Sequence, residues 1–482
     1  MSAGPWHTAM AGQTCGFALV RGLLLSRVTM RNPGFLTLAC FLAACSSGGS
    51  SSSGGSSSGS GSSSGGSSGG TGDAGVTQAR SALAQDTSPN VPPADQASLT
   101  LGNSTFAFDM YGALRAANPA SSNLFFSPYS ISSAFAMAYA GAEGPTATEM
   151  ATAMSYTLPP AQLAPAFDWL DLQLAARSSQ PQEPGEKTPF ALHVANSLWG
   201  DKTLTFQSPF LDTLAVDYGA GVQQVDFVND PGGAVQAINL WVSNETNDKI
   251  SQLLPPNSLD SYTTFVIVNA IYFQAGWESP FYAGATTPQA FTRVDGTKEQ
   301  APTMQQTESL AYAQGSGWQI VELAYAGGEE AMDIVLPAQG TDASFDAGLT
   351  AASFASMVGA MQPALVDLAL PKFQVSGPSI SIKAMLQSLG MNVAWTGSAD
   401  FTPMVASNTS LANAYHQAFV AVDENGTQAA AATAIVGGDG GAESGPPPTP
   451  VSMTVDRPFF IAIRDLPTGT VLFAGKIEDP AQ

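Results

Sequence analysis

Tyr262-Thr-Thr-Phe-Val-Ile-Val-Asn-Ala-Ile-Tyr-Phe273 is twelve residues long and carries no charge. Val, Ile and Thr lose rotamer freedom in a helix and suit a pleated surface, so the run reads as a β-strand. It does not alternate apolar with polar, and a strand that is apolar on both faces must be covered on both faces. The segment is therefore a central strand of a large sheet. Asn269 is the amide inside it, and burying an amide without a partner costs about 1–3 kcal/mol. Either Asn269 sits at a strand edge against water, or a polar group elsewhere in the chain meets it.

Outward from this strand the pattern divides. Downstream, MDIVLP from Met332, ALVDLALPKF from Ala364 and the hairpin-like FFIAIRDLPTGTVLFAGKI from Phe459 add strand signals. Upstream the apolar period is helical: Phe106, Met110 and Leu114 in one run, then Ile131, Phe135, Met137 and Tyr139 behind the N-cap and first-turn pair Ser127-Pro128. Val235 to Ile250 reads as a further amphipathic helix with Ile238, Trp241 and Val242 inward. Helices crowd the first half and strands the second, which gives an α+β domain on large, mostly antiparallel sheets. No internal repeat interrupts it.

Hydrophobic residues make up 44% of the 482 and charged residues 11%, enough for a sizeable core. The formal charge of −22, from 16 basic and 38 acidic residues, repels phosphate backbones and sulfated glycans, so neither nucleic acid nor a heparin-like glycan is expected as partner. Cys15, Cys40 and Cys45 all precede the globular part, which can hold no disulfide and no cysteine-based metal site.

The N-terminus reads as a processing signal. From Met30, MRNPGFLTLACFLAAC gives a short segment bearing Arg31, an apolar run from Phe35 to Ala44, and Leu42-Ala-Ala-Cys45. Ten apolar residues are too few to span a bilayer. The pattern resembles the bacterial lipoprotein signal, in which the cysteine is lipidated and becomes the first mature residue; an ordinary secretory signal is the alternative. The resemblance implies a domain anchored to a bacterial membrane through Cys45 in the cell envelope or outside the cell, with Ser46 in place of aspartate favouring the outer membrane. Either Met1 to Thr29 extends the signal or the chain starts at Met30. Ser46 to Gly72 is almost wholly Ser and Gly, a coil with an r.m.s. span of about 30 Å. Gln78 to Pro93 reads as further linker, so residues 46–96 are expected to be disordered and the domain to run from 97 to 482.

Catalytic signatures are absent. The histidines are His7, His193 and His416, and the last two lie in strand-like runs without a nucleophile elbow nearby. Gly315-Ser-Gly317 reads as a turn. No phosphate loop, dinucleotide fingerprint or HExxH occurs, so an enzyme, a cofactor and a metal are not expected.

One segment fits neither a loop nor a settled strand. Glu424-Asn-Gly-Thr-Gln-Ala-Ala-Ala-Ala-Thr-Ala-Ile-Val-Gly-Gly-Asp439 carries no charge between Thr427 and Gly438, and its side chains are small or β-branched. Alanine favours a helix, but Thr433-Ala-Ile-Val-Gly-Gly would end one badly. A loop that later becomes a strand of a closed sheet needs this composition: small, uncharged side chains where the sheet parts first, and an unrestrained glycine, Gly426, at which to swing.

Five stretches carry a resemblance to a known family: Asn123 to Met150, Ile238 to Asp260, Val268 to Phe281, His416 to Ala434 and Asp456 to Ile477. In this order, from about Ser98 to Pro480, they resemble the serpins. The resemblance implies an α+β domain of three β-sheets and eight or nine helices, with an exposed reactive-centre loop at about 424–450. It implies a monomeric serine protease inhibitor that acts as a suicide substrate: a protease cuts the loop, forms a covalent acyl complex, and is trapped as the loop inserts into the main sheet. A non-inhibitory surface binding module and an inhibitor of papain-like cysteine proteases are the alternatives.

Carried over residue by residue, the resemblance gives a hinge at Glu424, Gly426, Thr427, Ala429, Ala430, Ala431 and Ala432. Thr427, Ala429, Ala431 and Thr433 would face inward on insertion. Ser127, Asn269 and His416 match the polar cluster beneath the opening point of the sheet, which would supply the partner Asn269 needs. Trp277 matches the tryptophan at the top of the sheet, and Lys372 and Glu424 match an ion pair there. Around the cut site the chain departs from the family. Spacing from the hinge puts the scissile bond between Gly440 and Gly441, whereas the prolines Pro446-Pro447 put it between Glu443 and Ser444. No Arg or Lys lies in the loop, which implies a target of small-residue or acidic specificity.

Overall fold

A computed structural model describes residues 75–117, 123–178, 190–375, 379–427 and 449–481, all of them in the unit Gly70–Gln482. The chain runs β1 (Thr77–Ala79), α1 (Pro93–Ala117), β2 (Leu124–Phe126), α2 (Pro128–Tyr139), α3 (Gly144–Ala153), α4 (Pro160–Ser178), β3 (Ala191–Asp201), α5 (Ser208–Tyr218), β4 (Val222–Val225), α6 (Pro231–Glu245) and β5 (Phe265–Gly276). It continues through β6 (Thr287–Thr292), β7 (Lys298–Gly315), β8 (Trp318–Ala324), β9 (Glu330–Pro337), α7 (Asp342–Gly348), α8 (Ala351–Gly359), β10 (Gln362–Pro371), β11 (Phe373–Val375), β12 (Ile380–Ser381) and α9 (Lys383–Ser388). The last strands are β13 (Asn413–Asp423), β14 (Gly426–Thr427), β15 (Val451–Thr454), β16 (Phe459–Asp465) and β17 (Thr470–Ile477).

The apolar run around Asn269 is β5, buried along its length except at Gln274. It starts at Phe265 rather than Tyr262, because the Asp260 carboxylate accepts the Tyr262 N–H at 3.0 Å and the Thr263 hydroxyl at 3.1 Å, turning the chain before the strand begins. β5 lies inside an eight-stranded sheet of order β1-β4-β3-β5-β14-β13-β11, with β12 also on β13. α2 packs against β3 and β5 on one side. On the other, Ile238 and Val242 of α6 share a core with Trp199, Val266 and Val268. That two-sided cover is why β5 shows no alternation.

The remaining strands make a second network, β15-β10-β7-β8-β9-β16-β17-β2 with β6 on β7. β7 is eighteen residues long: its middle pairs with β10, while Ala311–Gly315 pair with β8. The two smaller sheets expected from the family resemblance are thus joined by hydrogen bonds through one long strand. The turn after β7 is Gly315-Ser-Gly317, with Gly317 at φ 91°.

Helix boundaries follow their caps. Ser127 caps α2, its hydroxyl accepting the Ser130 N–H at 3.1 Å, and Pro128 fills the first turn. α6 begins at Pro231 behind Asp230, which accepts the Gly233 N–H at 2.8 Å, and it stops at Glu245, five residues before Ile250. Asn247 and Asp248 there take φ of 50° and 61°, left-handed values that end a helix. The linker expected up to residue 96 ends earlier. Thr77–Ala79 is an edge strand on β4, and α1 starts at Pro93.

Candidate functional site: the parting line of the eight-stranded sheet

β13 and β5 run parallel, paired from Asn413↔Val266 to Phe419↔Tyr272. Above that stretch they separate. Gly426–Thr427 fills the gap, antiparallel to β5 at Gly276 and Ala275 and antiparallel to β13 at Asp423 and Val422. Both residues are buried, Thr427 completely. Gly426 has φ 155°, and a Cβ there would meet the Ala275 carbonyl oxygen at 2.2 Å, so the close approach to β5 demands glycine.

A set of contacts fixes this upper end. Trp277 donates its indole N–H to the Asp423 carbonyl at 3.0 Å and its backbone N–H to Asn425 at 2.9 Å. Its ring stacks on Tyr325, centroids 4.6 Å apart, and the Tyr325 hydroxyl lies 2.6 Å from Thr427 Oγ1. Glu424 pairs with Lys372 at 2.8 Å and accepts the Thr286 hydroxyl at 2.7 Å. Burial alone would raise the Glu424 carboxyl, but the bonds from Lys372 and Thr286 outweigh it and hold it below its ordinary value.

Lower down, the paired rows of the sheet place Asn196 of β3 opposite Asn269 of β5, and Asn269 opposite His416 of β13. His416 Nε2 accepts the Ser127 N–H at 3.1 Å, which leaves the proton on Nδ1, donated to Asn269 Oδ1. Asn269 Nδ2 donates to Ser130 Oγ at 2.6 Å and to Asn196 Oδ1. Ser130 Oγ in turn donates to Asn196 Oδ1 at 3.0 Å, and Ser127 Oγ to the Leu472 carbonyl at 2.6 Å. Full burial with no facing anion drives the His416 pKa down to about 3, so the ring is neutral. Asn269 is buried and bonded on both amide atoms rather than exposed at an edge.

The structure thus brings Ser127, Asn269 and His416 into one cluster, and Trp277, Lys372, Glu424, Gly426 and Thr427 into another at the head of the same seam. Ala429, Ala430, Ala431, Ala432, Thr433, both candidate cut sites (Gly440–Gly441 and Glu443–Ser444) and Cys45 lie outside the described residues. Ser130, Asn196, Tyr325 and Thr286 were not singled out from the sequence, yet each bonds a residue that was.

The cluster has no nucleophile poised beside a base: His416 is buried and uses both nitrogens internally. What the arrangement offers is a seam. It is closed by β-pairing and one amide–imidazole contact below, and already parted by two residues of chain above.

The family model described as Serpin (serine protease inhibitor) matches residues 101–480. An uncharacterised serpin-like protein of Thermococcus kodakarensis is 34% identical over 380 residues, covering 78% of this chain and 84% of that protein. The native-state crystal structure of the thermophilic serpin tengpin superimposes with a TM-score of 0.71 at 25% identity, over 82% of this chain and 97% of the other. Thyroxine-binding globulin in complex with thyroxine gives 0.69 at 28% identity, over 80% and 99%.

Proposed function

The chain belongs to the serpin family, and we propose that it is an inhibitory member, a suicide substrate that traps a serine protease by inserting its cleaved loop between β5 and β13. The observation that carries this reading is the position of Gly426–Thr427, buried between those two strands at the head of a seam that is closed beneath them. The protease serine attacks the loop carbonyl, the bond to the following amine breaks, and an ester joins the two proteins. Water would free the enzyme by hydrolysing that ester. Insertion is faster: the freed chain extends β14 downward, and the protease is carried along and distorted.

The geometry supports a favourable exchange. Seven parallel pairings between β5 and β13 give way to two antiparallel ladders, since β14 is antiparallel to both neighbours, and antiparallel pairing is slightly the more stable per residue. Thr427, Ala429, Ala431 and Thr433 are small enough to enter without opening the layers further. Below β14, the Asn269–His416 contact is the polar link that the entering strand separates.

The loop holds no Arg or Lys, so the target cuts after a small or acidic residue, at Gly440 or Glu443. Lipidated Cys45 and the Ser/Gly tether place the inhibitor on a bacterial membrane, within tens of ångströms of the proteases it meets. The experiment for the loop itself is a nick between Gly438 and Ser444 followed by a melting scan. Insertion raises the melting temperature by tens of degrees, far beyond the effect of one substitution; a nicked form that melts at or below the intact one removes the reading.

A further inference from the structure

The edge strand β1 continues into a segment seated on the surface of α4 and α5. Thr77–Ala79 pair antiparallel with β4. Arg80 Nη2 donates to the Gly219 carbonyl at 2.8 Å, Ser81 Oγ to Asp212 at 2.5 Å, Gln85 Nε2 to Asp168 at 2.7 Å, and the Asp86 N–H to the Val216 carbonyl at 2.9 Å. The seat is shaped for it. A Cβ on Gly219 would meet the Gln85 side chain at 2.5 Å, and one on Gly221 would meet the Ala79 carbonyl at 2.7 Å.

The underside of this seat is acidic. Asp168 is fully buried beneath Gln85, with Oδ2 lacking a hydrogen-bond partner. Asp171, also on α4, accepts the Tyr129 hydroxyl from α2 at 2.6 Å. α5 contributes Asp212, Asp217 and Tyr218, the chain after α3 contributes Tyr156, and the strap brings Asp86 and Arg80. The one cation, Arg80, is turned to the Gly219 carbonyl, and among the described residues no such group is disposed to hold a metal ion.

We propose that residues 77–86 are a proton-controlled strap, holding the β1-β4-β3-β5 half of the sheet to α4 and α5 and so setting how readily the seam between β5 and β13 can part. The occupant of the acidic seat is a proton. Burial lifts Asp171 to about 7, with Asp168 adding to the shift, and lifts Asp217 to about 6, with Asp168 and Asp86 adding. Asp168 is raised by burial and by Asp86, which together outweigh the Gln85 bond. The docked state therefore binds more protons than the released one between about pH 4 and pH 7. Docking is firmest in mild acid and weakens as the pH rises through 6 and 7, when charge appears beneath Asp86.

The link from strap to seam rests on the loop-insertion reading, so strap docking is read separately on the uncleaved full chain. Hydrogen exchange of the residue 77–86 amides, corrected for intrinsic rates, is compared at pH 5 and pH 8. The expected loss of protection is about tenfold, confined to this segment. Asp86→Asn removes the strap's charge while keeping an acceptor for the Ser88 N–H, which Asp86 now binds at 2.9 Å; it should restore most of the protection at pH 8. Equal protection at the two pH values, or an Asp86→Asn chain no better protected than wild type at pH 8, overturns the proton control. Gly221→Ala should expel the strap at both pH values and speed conversion of the uncleaved protein to a heat-stable, inserted form. If conversion occurs at the same rate with and without the strap, the hold on the sheet is refuted and the inhibitory reading stands. If no inserted form ever arises, it is the inhibitory reading that falls.

Discussion

The Tyr325 hydroxyl and Thr427 Oγ1 lie 2.6 Å apart, both fully buried, so the second residue of the hinge is docked in the sheet before any protease has acted. Thr427→Arg puts a charge where there is neither water nor an acid, which costs several kcal/mol on insertion. The variant should be cut by the target at the same bond and released, behaving as a substrate. Counting moles of serpin consumed per mole of protease silenced reads this directly; a ratio unchanged from wild type contradicts it.

His416→Ala leaves the Ser127 N–H and Asn269 Oδ1 without their partner, a loss of about 1–3 kcal/mol for each group. It also removes a pH dependence. The native ring has its pKa depressed to about 3, against about 6.5 in an unfolded chain, so between those values the unfolded state binds the extra proton. Its stabilisation is complete above pH 6.5 and is lost as the pH falls toward 3, by up to about 1.4 kcal/mol per unit. Melting curves of wild type and His416→Ala should therefore converge toward acid pH. A gap that stays constant from pH 7 to pH 4 shows that the imidazole does not carry the effect.

Glu424→Gln keeps the Thr286 bond and removes the pairing with Lys372, whose side chain is about a third exposed. Such a pair contributes at most about 1 kcal/mol, so the melting temperature should barely move. The hinge should respond more. Hydrogen exchange at Gly426 and Thr427 is expected to quicken several-fold, and rates equal to wild type mean the ion pair does not hold the hinge down.

Cys45→Ala should abolish palmitate labelling and move the protein out of the membrane fraction or leave its signal uncut. A wild type that takes up no label, with an alanine variant that still fractionates with membranes, assigns Cys45 no anchoring role.

The parts of the seam that were legible in the sequence were its anomalies. An amide in the middle of β5, an uncharged alanine run before Gly and Pro, and a histidine in a strand each contradict local expectation, and each lies on the parting line. Ser130 and Asn196 were hidden because a serine in a helix and an asparagine near a strand middle break no rule until the fold sets them beside Asn269. Tyr325 and Thr286 owe their roles to partners far along the chain. The strap was illegible for a different reason. Three residues of edge strand have no period to detect, their flanks resemble linker, and the seat that receives them is made by the absence of side chains at Gly219 and Gly221. Two element ends moved through turn chemistry, at Asp260 before β5 and at Asn247 after α6.

The most direct test of the trap is a gel. The purified chain is incubated with serine proteases that cut after small or acidic residues, and the products are denatured in SDS. A covalent band at the summed mass of protease and inhibitor, absent when the protease serine is blocked beforehand, is the expected result. Complete cleavage of the loop by every such protease with no covalent band would contradict the trap and leave a serpin that binds without inhibiting.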